Sequence, residues 1–351
     1  MKIGIMLPNW IGDVVMATPT LRAIRKHYGG RAEIAGIMRP YVSQVLAGTD
    51  WLDQCFYYDR KSRDEELSGS SLLRQLRVWK PDAMVLLPNS LWGGVLAWMS
   101  GARERVGYGR NARGLLLTKT LTAPRENRKL KPVPAIDYYL ELAYSLGCQT
   151  EPPKLELATL PEDEAGSDAV WHDLVLDKVS RVIIFNTGSA SGTARNWPEE
   201  AYVSLAKRIV EDSDSAVLVI CGPAEREAAA RVARHANHPR VKSMADQDLS
   251  IGVAKACVRR GQLMVTTDSG PRHYGPAFNV PTITLSGPID PRWSESHDPD
   301  AITIQYPVDC GPCGKAVCPF EHHRCMRGIT VDTVFSAIET QLAKQADKRA
   351  A

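Results

Sequence analysis

One stretch of the chain decides the fold: residues 262–288, with the sequence QLMVTTDSGPRHYGPAFNVPTITLSGP. Its two ends, 263–265 and 281–285, are short apolar runs of the kind found in buried parallel strands. The TDSGP between them has the features of a helix start, with Asp268 or Ser269 as N-cap and a proline in the first turn. The stretch therefore predicts a strand, a sharp turn, a short helix and a second strand.

The turn in this stretch is suited to holding a phosphate. Gly270 has no side chain, so an anion can approach the backbone closely, and first-turn N–H groups together with the helix dipole attract it. His273 follows about one helical turn later and would face the same ligand. An ordinary strand-to-helix turn with a capping acid and a surface histidine fits the spacing equally well.

The size and composition of the chain are those of a globular protein with two domains. Its 351 residues exceed what one hydrophobic core usually supports. With 44% hydrophobic residues, 24% charged residues and a net charge of +3, nothing suggests nucleic-acid binding. The amino terminus lacks an apolar signal-peptide core, and no window has the length of a membrane-spanning helix. We therefore expect a cytoplasmic protein.

A strand–helix alternation occurs in the first half of the sequence and starts again in the second. The predicted strands are 2–7, 32–37, 54–58, 83–87 and 105–107 in the first half, and 181–185, 216–221, 263–265 and 281–285, with a short strand near 241, in the second. Such alternation predicts α/β architecture with two Rossmann-like, doubly wound parallel-sheet domains. Ligands of such sheets bind beyond the carboxyl ends of the strands, so we expect a site in a cleft between the domains.

The boundary between the halves is predicted in a polar segment with several prolines, residues 150–164. We therefore expect an acceptor-binding domain over 1–155 and a nucleotide-binding domain over 156–330. The remaining residues, 331–351, form an amphipathic helix that could cross back to the first domain.

Asp13 is the candidate catalytic carboxylate of the first half. It follows Gly12 where the first strand turns into the first helix, and the glycine leaves room for a substrate beside the acid. A structural first-turn acid that interacts with the helix dipole is the alternative interpretation. The absence of GxGxxG in this segment weakens a dinucleotide-dehydrogenase interpretation.

The loop NTGSASGTARNWPEE, residues 186–200, is the corresponding candidate of the second half. It is rich in small hydrogen-bond donors, among them Thr187, Gly188 and Ser189, and Arg195 adds a cationic fork suited to phosphate. A solvated loop that ends in a helix start is the alternative. After the next strand, Glu225 or Glu227 occupies the kind of position from which an acid holds a ribose hydroxyl.

Four motifs in this order resemble those of the lipopolysaccharide heptosyltransferases of glycosyltransferase family 9. They are GD at 12–13, LPNS at 87–90, RNWPEE after the Thr/Ser/Gly loop, and DSGPRH followed by PTITLSGP. LPNS followed by GARERVGY, residues 101–108, is similar to the heptosyltransferase II group. The resemblance covers nearly the whole chain.

The resemblance implies a GT-B fold and transfer of L-glycero-D-manno-heptose from ADP-heptose to the first heptose of the lipopolysaccharide inner core. The transfer would invert the anomeric centre, without a metal or other cofactor. The family's catalytic base matches Asp13, and its usual lysine is replaced by Arg195, for which a diphosphate-binding role is expected. The matched ADP-binding positions are Thr187, Asp268, Ser269, Gly270 and His273.

Two other functions remain as alternatives to this transfer. A nucleotide-sugar epimerase shares the two-domain architecture but processes its sugar without an acceptor, and another nucleotide-sugar-dependent GT-B transferase would use a different donor. A two-lobed sugar-binding protein would normally carry a signal peptide.

The implied acceptor is the lipid A–inner core, which is a membrane glycolipid with phosphates and acidic sugars. Residues 101–131 carry nine basic side chains against two acidic ones, and they predict the acceptor side and peripheral contact with the inner face of the inner membrane. A solvated loop face is the alternative. The nine are Arg103, Arg105, Arg110, Arg113, Lys119, Arg125, Arg128, Lys129 and Lys131.

Four of the eight cysteines lie together near the carboxyl terminus, in the order Cys310, Cys313, Cys318 and Cys325. A CxxC pair with two further cysteines could form a tetrahedral zinc site or hold an iron–sulfur cluster. The spacing CxxCx4Cx6C matches no established ligand pattern, and a cytoplasmic location argues against disulfides. We predict reduced structural thiols, with metal ligation and disulfides as the alternatives.

Overall fold

The computed structural model describes residues 1–188 and 192–350, with side chains up to residue 347. It contains two compact units, Met1–Ala158 with Arg292–Ser296, and Thr159–Pro291 with His297–Ala351. Each unit is built around a six-stranded sheet.

The first unit alternates strands and helices, as the sequence predicts. Its strands are β1 (Lys2–Met6), β2 (Glu33–Met38), β3 (Gln54–Tyr57), β4 (Ala83–Leu86), β5 (Glu104–Tyr108), β6 (Lys119–Leu121), β7 (Arg125–Glu126) and β8 (Lys129–Leu130). Its helices are α1 (Ile11–Met16), α2 (Thr18–Tyr28), α3 (Pro40–Leu46), α4 (Gly69–Trp79), α5 (Leu91–Met99) and α6 (Ala135–Ser145).

The second unit repeats the pattern. Its strands are β9 (Arg181–Asn186), β10 (Ser215–Ile220), β11 (Val241–Ser243), β12 (Leu263–Thr267), β13 (Thr282–Ser286) and β14 (Ile302–Gln305). Its helices are α7 (Pro161–Asp173), α8 (Glu199–Asp212), α9 (Arg226–Ala236), α10 (Ile251–Arg260), α11 (Tyr274–Ala277), α12 (Arg324–Arg327) and α13 (Val331–Ala350).

The two large sheets have the same topology. Their strand orders are β3-β2-β1-β4-β5-β6 and β11-β10-β9-β12-β13-β14, and each neighbouring pair is parallel. In both sheets the direction of winding reverses beside the first strand, between β1 and β4 and between β9 and β12. Ligands of doubly wound sheets bind beyond the carboxyl ends of strands at such a reversal. The predicted class of two Rossmann-like parallel-sheet domains is confirmed.

The central strands of both sheets are buried on both faces, which explains why they appear as continuous apolar runs in the sequence. In β1 Ile3 and Ile5 are fully buried, and in β12 so are Leu263, Met264 and Val265. Their burial favours folding by about 25 cal/mol per Å² of apolar area removed from water.

The chain after β1 forms two helices, α1 and α2, which meet at Ala17. Pro19 has no N–H and so cannot continue the hydrogen bonding of α1. The hydroxyl of Thr18 donates to the carbonyl of Val15 at 2.7 Å and satisfies an acceptor left free at the break.

Five elements were not predicted from the sequence: strand β6, the antiparallel hairpin β7–β8, helix α7, edge strand β14 and the short helix α12. Helix α7 begins at Pro161, inside the segment that we interpreted as extended, because a proline is well suited to the first turn of a helix. The last helix, α13, belongs to the second unit, where it packs against α8, β12 and β13. No helix among the described residues has the length and apolar character needed to cross a membrane.

Candidate functional site

In the second unit, the predicted phosphate turn and the predicted small-residue loop follow the adjacent parallel strands β12 and β9. Asn186, the last residue of β9, ties them together. Its amide donates to the hydroxyl of Thr266 at 3.0 Å and to that of Ser269 at 2.8 Å. The hydroxyl of Thr267 donates to the carbonyl of Gly188 at 3.3 Å. The two loops therefore form one site at the reversal point of the sheet.

Ser269 stands at the N-cap position of the short 3₁₀ helix Gly270–His273, as the sequence suggests, but its side chain makes no capping bond. It accepts from Asn186 instead. Gly270 opens the helix and is partly exposed.

Arg195 lies beside Asp268, although 73 residues separate them in the chain. One of its terminal N–H groups donates to the Asp268 carbonyl at 3.0 Å, and the guanidinium lies 3.7 Å from the Asp268 carboxylate. The structure therefore brings the predicted cationic fork to the predicted phosphate turn.

Arg272 is a functional candidate that sequence reasoning missed. It is almost fully buried, and its guanidinium donates to the Asp268 carboxylate at 2.9 Å. The carboxylate thus lies between Arg195 and Arg272, and two positive charges face one negative charge. The four-residue spacing of Asp268 and Arg272 is the signal that could have indicated this pair.

Five side-chain polar atoms of the second unit are buried without a hydrogen-bond partner among the described residues. Two belong to Glu164 and Ser167 of α7, and the other three are Thr187 Oγ1, Arg195 Nε and His273 Nδ1. All three belong to side chains that the sequence analysis assigned to nucleotide binding. Buried polar atoms without partners are costly and are typical of sites completed by a ligand.

His273 is only 3% exposed, so it is not the surface histidine of the alternative interpretation. Burial, with the nearby positive charge of Arg272 as a smaller cause, lowers the pKa of His273 well below its ordinary value. The imidazole is therefore neutral at physiological pH, so one ring nitrogen can donate a hydrogen bond and the other can accept one.

The structure also distinguishes Glu225 from Glu227. Glu225 accepts from the N–H of Gly222 at 2.9 Å, and its carboxylate lies so close to Gly188 that a Cβ there would collide with it. Glu227 lies on the outer side of α9, where it faces Arg231 at 3.8 Å and Arg234 at 3.9 Å. Glu225 is thus the acid beside the predicted nucleotide loop. Ser189, also predicted in this loop, lies outside the described residues.

In the first unit, Asp13 is placed in the first turn of α1, after the carboxyl end of β1. Tyr139 of α6 donates to its carboxylate, with 3.3 Å between the Tyr139 hydroxyl and Asp13 Oδ1. Desolvation raises the pKa of Asp13 above its ordinary value, and the bond from Tyr139 partly offsets this effect. A carboxylate whose pKa is shifted towards neutrality is a better proton acceptor.

Beside it, the LPNS segment follows β4 on the other side of the reversal point. Asn89 accepts from Arg113 at 3.1 Å and from the Tyr138 hydroxyl at 3.2 Å. Arg113 is fully buried and also donates to the carbonyls of Tyr108 and Pro88. This arginine is therefore structural, and its inclusion in the predicted basic surface was wrong.

The remaining basic side chains of 101–131 are distributed over several elements. Arg105 is half-buried and donates to two backbone carbonyls, so it too is structural in part. Exposed side chains are those of Arg103, Lys119, Arg125, Arg128, Lys129 and Lys131. The last four lie on or beside the hairpin β7–β8.

The two sheets have the same doubly wound order. One has a desolvated carboxylate at its reversal point, and the other has a cationic loop there. Together these features define a glycosyltransferase of the GT-B class. Residues 70–324 match the model of glycosyltransferase family 9 (heptosyltransferase). The chain belongs to this family, and the resemblance seen in its motifs is confirmed.

Known proteins similar to the chain agree with this assignment. Lipopolysaccharide heptosyltransferase 2 of Escherichia coli K12 is 24% identical over 361 residues, which cover 98% of this chain and 99% of that protein. The structure of E. coli ADP-heptose LPS heptosyltransferase II matches with a TM-score of 0.80 and 20% identity, covering 99% of this chain and 100% of that one. E. coli heptosyltransferase WaaC with ADP-2-deoxy-2-fluoro heptose matches with a TM-score of 0.72 and 18% identity, covering 97% and 99%.

Proposed function

We propose that this enzyme transfers L-glycero-D-manno-heptose from ADP-heptose to the first heptose of the lipopolysaccharide inner core, with inversion at the anomeric carbon. The observation that carries the proposal is the set of partnerless buried atoms on Thr187, Arg195 and His273 at the carboxyl ends of β9 and β12. A nucleoside diphosphate, with its many acceptor oxygens, would complete such a set. The similar E. coli proteins, one named heptosyltransferase 2 and one solved with an ADP-heptose analogue, support ADP-heptose as donor.

Inversion by a single in-line displacement needs a base for the acceptor hydroxyl and positive stabilisation for the departing diphosphate. In this proposal Asp13 is the base. Desolvation raises its pKa, which makes its carboxylate a stronger base than that of an exposed aspartate. A positioned base typically contributes about 10²–10⁴-fold to the rate.

Arg195 supplies the positive charge for the leaving group. Its N–H fork, partly exposed and with Nε unpaired among the described residues, can bind phosphate oxygens. Because arginine stays protonated at physiological pH, it acts by charge and not as a proton donor. Ser269 and Gly270, at the start of the 3₁₀ helix, would contact the same diphosphate.

Glu225 is assigned to the ribose of the nucleotide. Its carboxylate lies against Gly188, next to Thr187, and carboxylates at this position of Rossmann-like sheets accept hydrogen bonds from ribose hydroxyls. His273, which is neutral and buried, would make one further hydrogen bond to the nucleotide.

The acceptor is assigned to the first unit, and the hairpin β7–β8 is proposed to contact the anionic inner leaflet. Arg125, Arg128 and Lys129 are exposed there, and each basic side chain near an anionic membrane contributes about 1 kcal/mol. Exposed apolar side chains of the same unit, Trp98 at 57% and Leu115 at 98%, are available for insertion into the interface.

The test is incubation of the purified enzyme with ADP-heptose and a defined inner-core acceptor that carries one heptose, read by mass spectrometry. We expect a product heavier by one heptose and ADP release that depends on the acceptor. ADP release without transfer would contradict the proposal. Conversion of the sugar without any acceptor would instead identify an epimerase.

A further inference from the structure

The four carboxyl-terminal cysteines are not packed as small hydrophobic residues. Cys148, Cys221 and Cys257 are buried, whereas Cys310, Cys313, Cys318 and Cys325 are all free and only half-buried. Reduced structural thiols normally belong to the core. Cys55 is half-buried too, so what distinguishes these four cysteines is that they lie together and not their burial alone.

All four side chains line one small cavity. It has a volume of about 20 Å³, close to that of a single ion or water, and its lining also includes Phe320 and His322. Cys310 Sγ is 3.9 Å from His322 Nε2. Four cysteines that line one small space offer a donor set for a thiophilic cation. Four thiolates in one place would repel one another, so a dication is needed to hold all of them deprotonated.

Residues 306–323 contain neither helix nor strand, although Ala316 and Gly314 bond to the segments that follow β9 and β13. Loops of this length without secondary structure are uncommon in compact domains and are usually either functional or disordered. Within the described residues, no three histidine, cysteine or carboxylate side chains already converge as a coordination sphere. Binding would therefore draw the thiols inward around the cavity.

We propose that Cys310, Cys313, Cys318 and Cys325 bind one tetrahedral divalent cation, zinc or ferrous iron, in a structural site. Each thiol would lose its proton to solvent on binding, so that four thiolates and a dication leave a net charge of −2. The site takes no part in sugar transfer and is separate from the residues assigned to that reaction.

The proposed role of the site is to brace the loop that carries Arg195. The N–H of Ala194 donates to the carbonyl of Ala316 at 3.0 Å, and a Cβ on Gly192 would collide with that carbonyl. The N–H of Gly314 donates to the carbonyl of Pro288 at 2.7 Å, after β13. The cysteine segment thus contacts the loop that carries Arg195 and the segment that follows β13. This role, unlike the metal site itself, rests on the proposed function.

The first experiment measures metal in the full chain, purified anaerobically without a tag. Plasma mass spectrometry is expected to find one zinc or iron per chain in the wild type and in the control Cys55→Ser, and much less in Cys313→Ser and Cys325→Ser. Equal metal content in the cysteine variants and the wild type would overturn the proposal.

A second measurement does not depend on whether the variants fold. The wild-type chain is stripped with chelator under reducing conditions and titrated with Co²⁺ alone. Tetrahedral thiolate ligation gives intense sulfur-to-cobalt charge-transfer absorption and visible d–d bands, and we expect both to saturate at one equivalent. Absence of these bands, together with metal-free protein as purified, would refute the site.

ADP calorimetry then tests the bracing role separately. We expect the stripped wild type to bind ADP at least several-fold more weakly than the reloaded one. Unchanged affinity would exclude the bracing role while leaving the metal site intact. If neither form binds ADP, it is the proposed function that fails.

Discussion

The hydroxyl of Tyr139 lies 3.3 Å from Oδ1 of Asp13, so a side chain of α6 holds the carboxylate that follows β1. Tyr139 is itself buried, and its position is fixed by packing of α6 on α1 and α2. Because the hydrogen bond favours the ionised carboxylate, Tyr139 acts as a positioning residue that moderates the effect of burial on the pKa of Asp13.

Removing the carboxylate should abolish most of the turnover. If Asp13 is the base, Asp13→Asn keeps the size of the side chain but cannot accept the proton, so kcat should fall by about 10²-fold or more. ADP affinity, measured by calorimetry, should stay the same because the nucleotide side chains belong to the second unit. A variant with near-normal turnover would show that another group is the base.

In Tyr139→Phe we expect the pH profile to shift, with a smaller change in the rate at high pH. The base is active when deprotonated, so activity is lost as pH falls through the pKa of Asp13. Without the hydrogen bond that lowers this pKa, the acidic limb of kcat/KM should move to higher pH. Tyr138→Phe, which removes a neighbouring hydroxyl bonded to Asn89, is the matched control. An identical acidic limb in Tyr139→Phe and wild type would argue against the positioning role.

Glu225 and Glu227 offer a matched pair for the nucleotide site. We expect Glu225→Gln to weaken ADP binding by about tenfold or more, because a hydrogen bond to a charged group contributes about 1.5–3 kcal/mol. Glu227→Gln should bind ADP like wild type, since Glu227 faces arginines on the outer side of α9. Calorimetry decides between them. Equal effects of the two substitutions would remove Glu225 from the ribose site.

The buried pair of Asp268 and Arg272 should be important for stability as well as binding. Breaking a buried ion pair on one side typically costs about 3–5 kcal/mol, and Arg195, 3.7 Å from the Asp268 carboxylate, offsets part of that cost. Arg272→Met should therefore lower the free energy of unfolding, measured in urea, by several kcal/mol. The exposed pair of Arg208 and Asp332 is the control, and Arg208→Met should cost about 1 kcal/mol or less. Similar losses in both variants would mean that burial does not strengthen the Asp268 pair.

Charge reversal on the hairpin tests the membrane proposal. The triple variant of Arg125, Arg128 and Lys129 to Glu should co-sediment less with anionic vesicles and show a higher KM for the lipid acceptor, with the KM for ADP-heptose little changed. The wild-type interaction should weaken with salt, because the Debye length falls from about 10 Å at 0.1 M to about 3 Å at 1 M. A control triple variant with the same charge change, Lys154, Lys178 and Arg181 to Glu, uses exposed residues elsewhere. If both triple variants bind vesicles alike, the hairpin is only a solvated surface.

The sequence by itself determined the parts of this protein that depend on local pattern. The apolar runs of β1, β9 and β12 and the strand–helix alternation were sufficient for the two parallel sheets, since burial on both faces demands such runs. The turn at 268–273 and the loop around Arg195 were identifiable because helix starts and glycine-rich loops have short signatures. The final helix was evident from its periodicity, although what it packs against was not.

Only the tertiary structure decided the contacts between distant segments. Tyr139 is separated from Asp13 by 126 residues and Arg195 from Asp268 by 73, and no local pattern encodes such neighbours. The burial of Arg113, the choice between Glu225 and Glu227, and the grouping of four half-buried thiols also depend on how the strand order brings loops together. The physical reason is that periodicity reflects which face of an element is buried, whereas the identity of each side chain's partners is set by the packing of the whole unit.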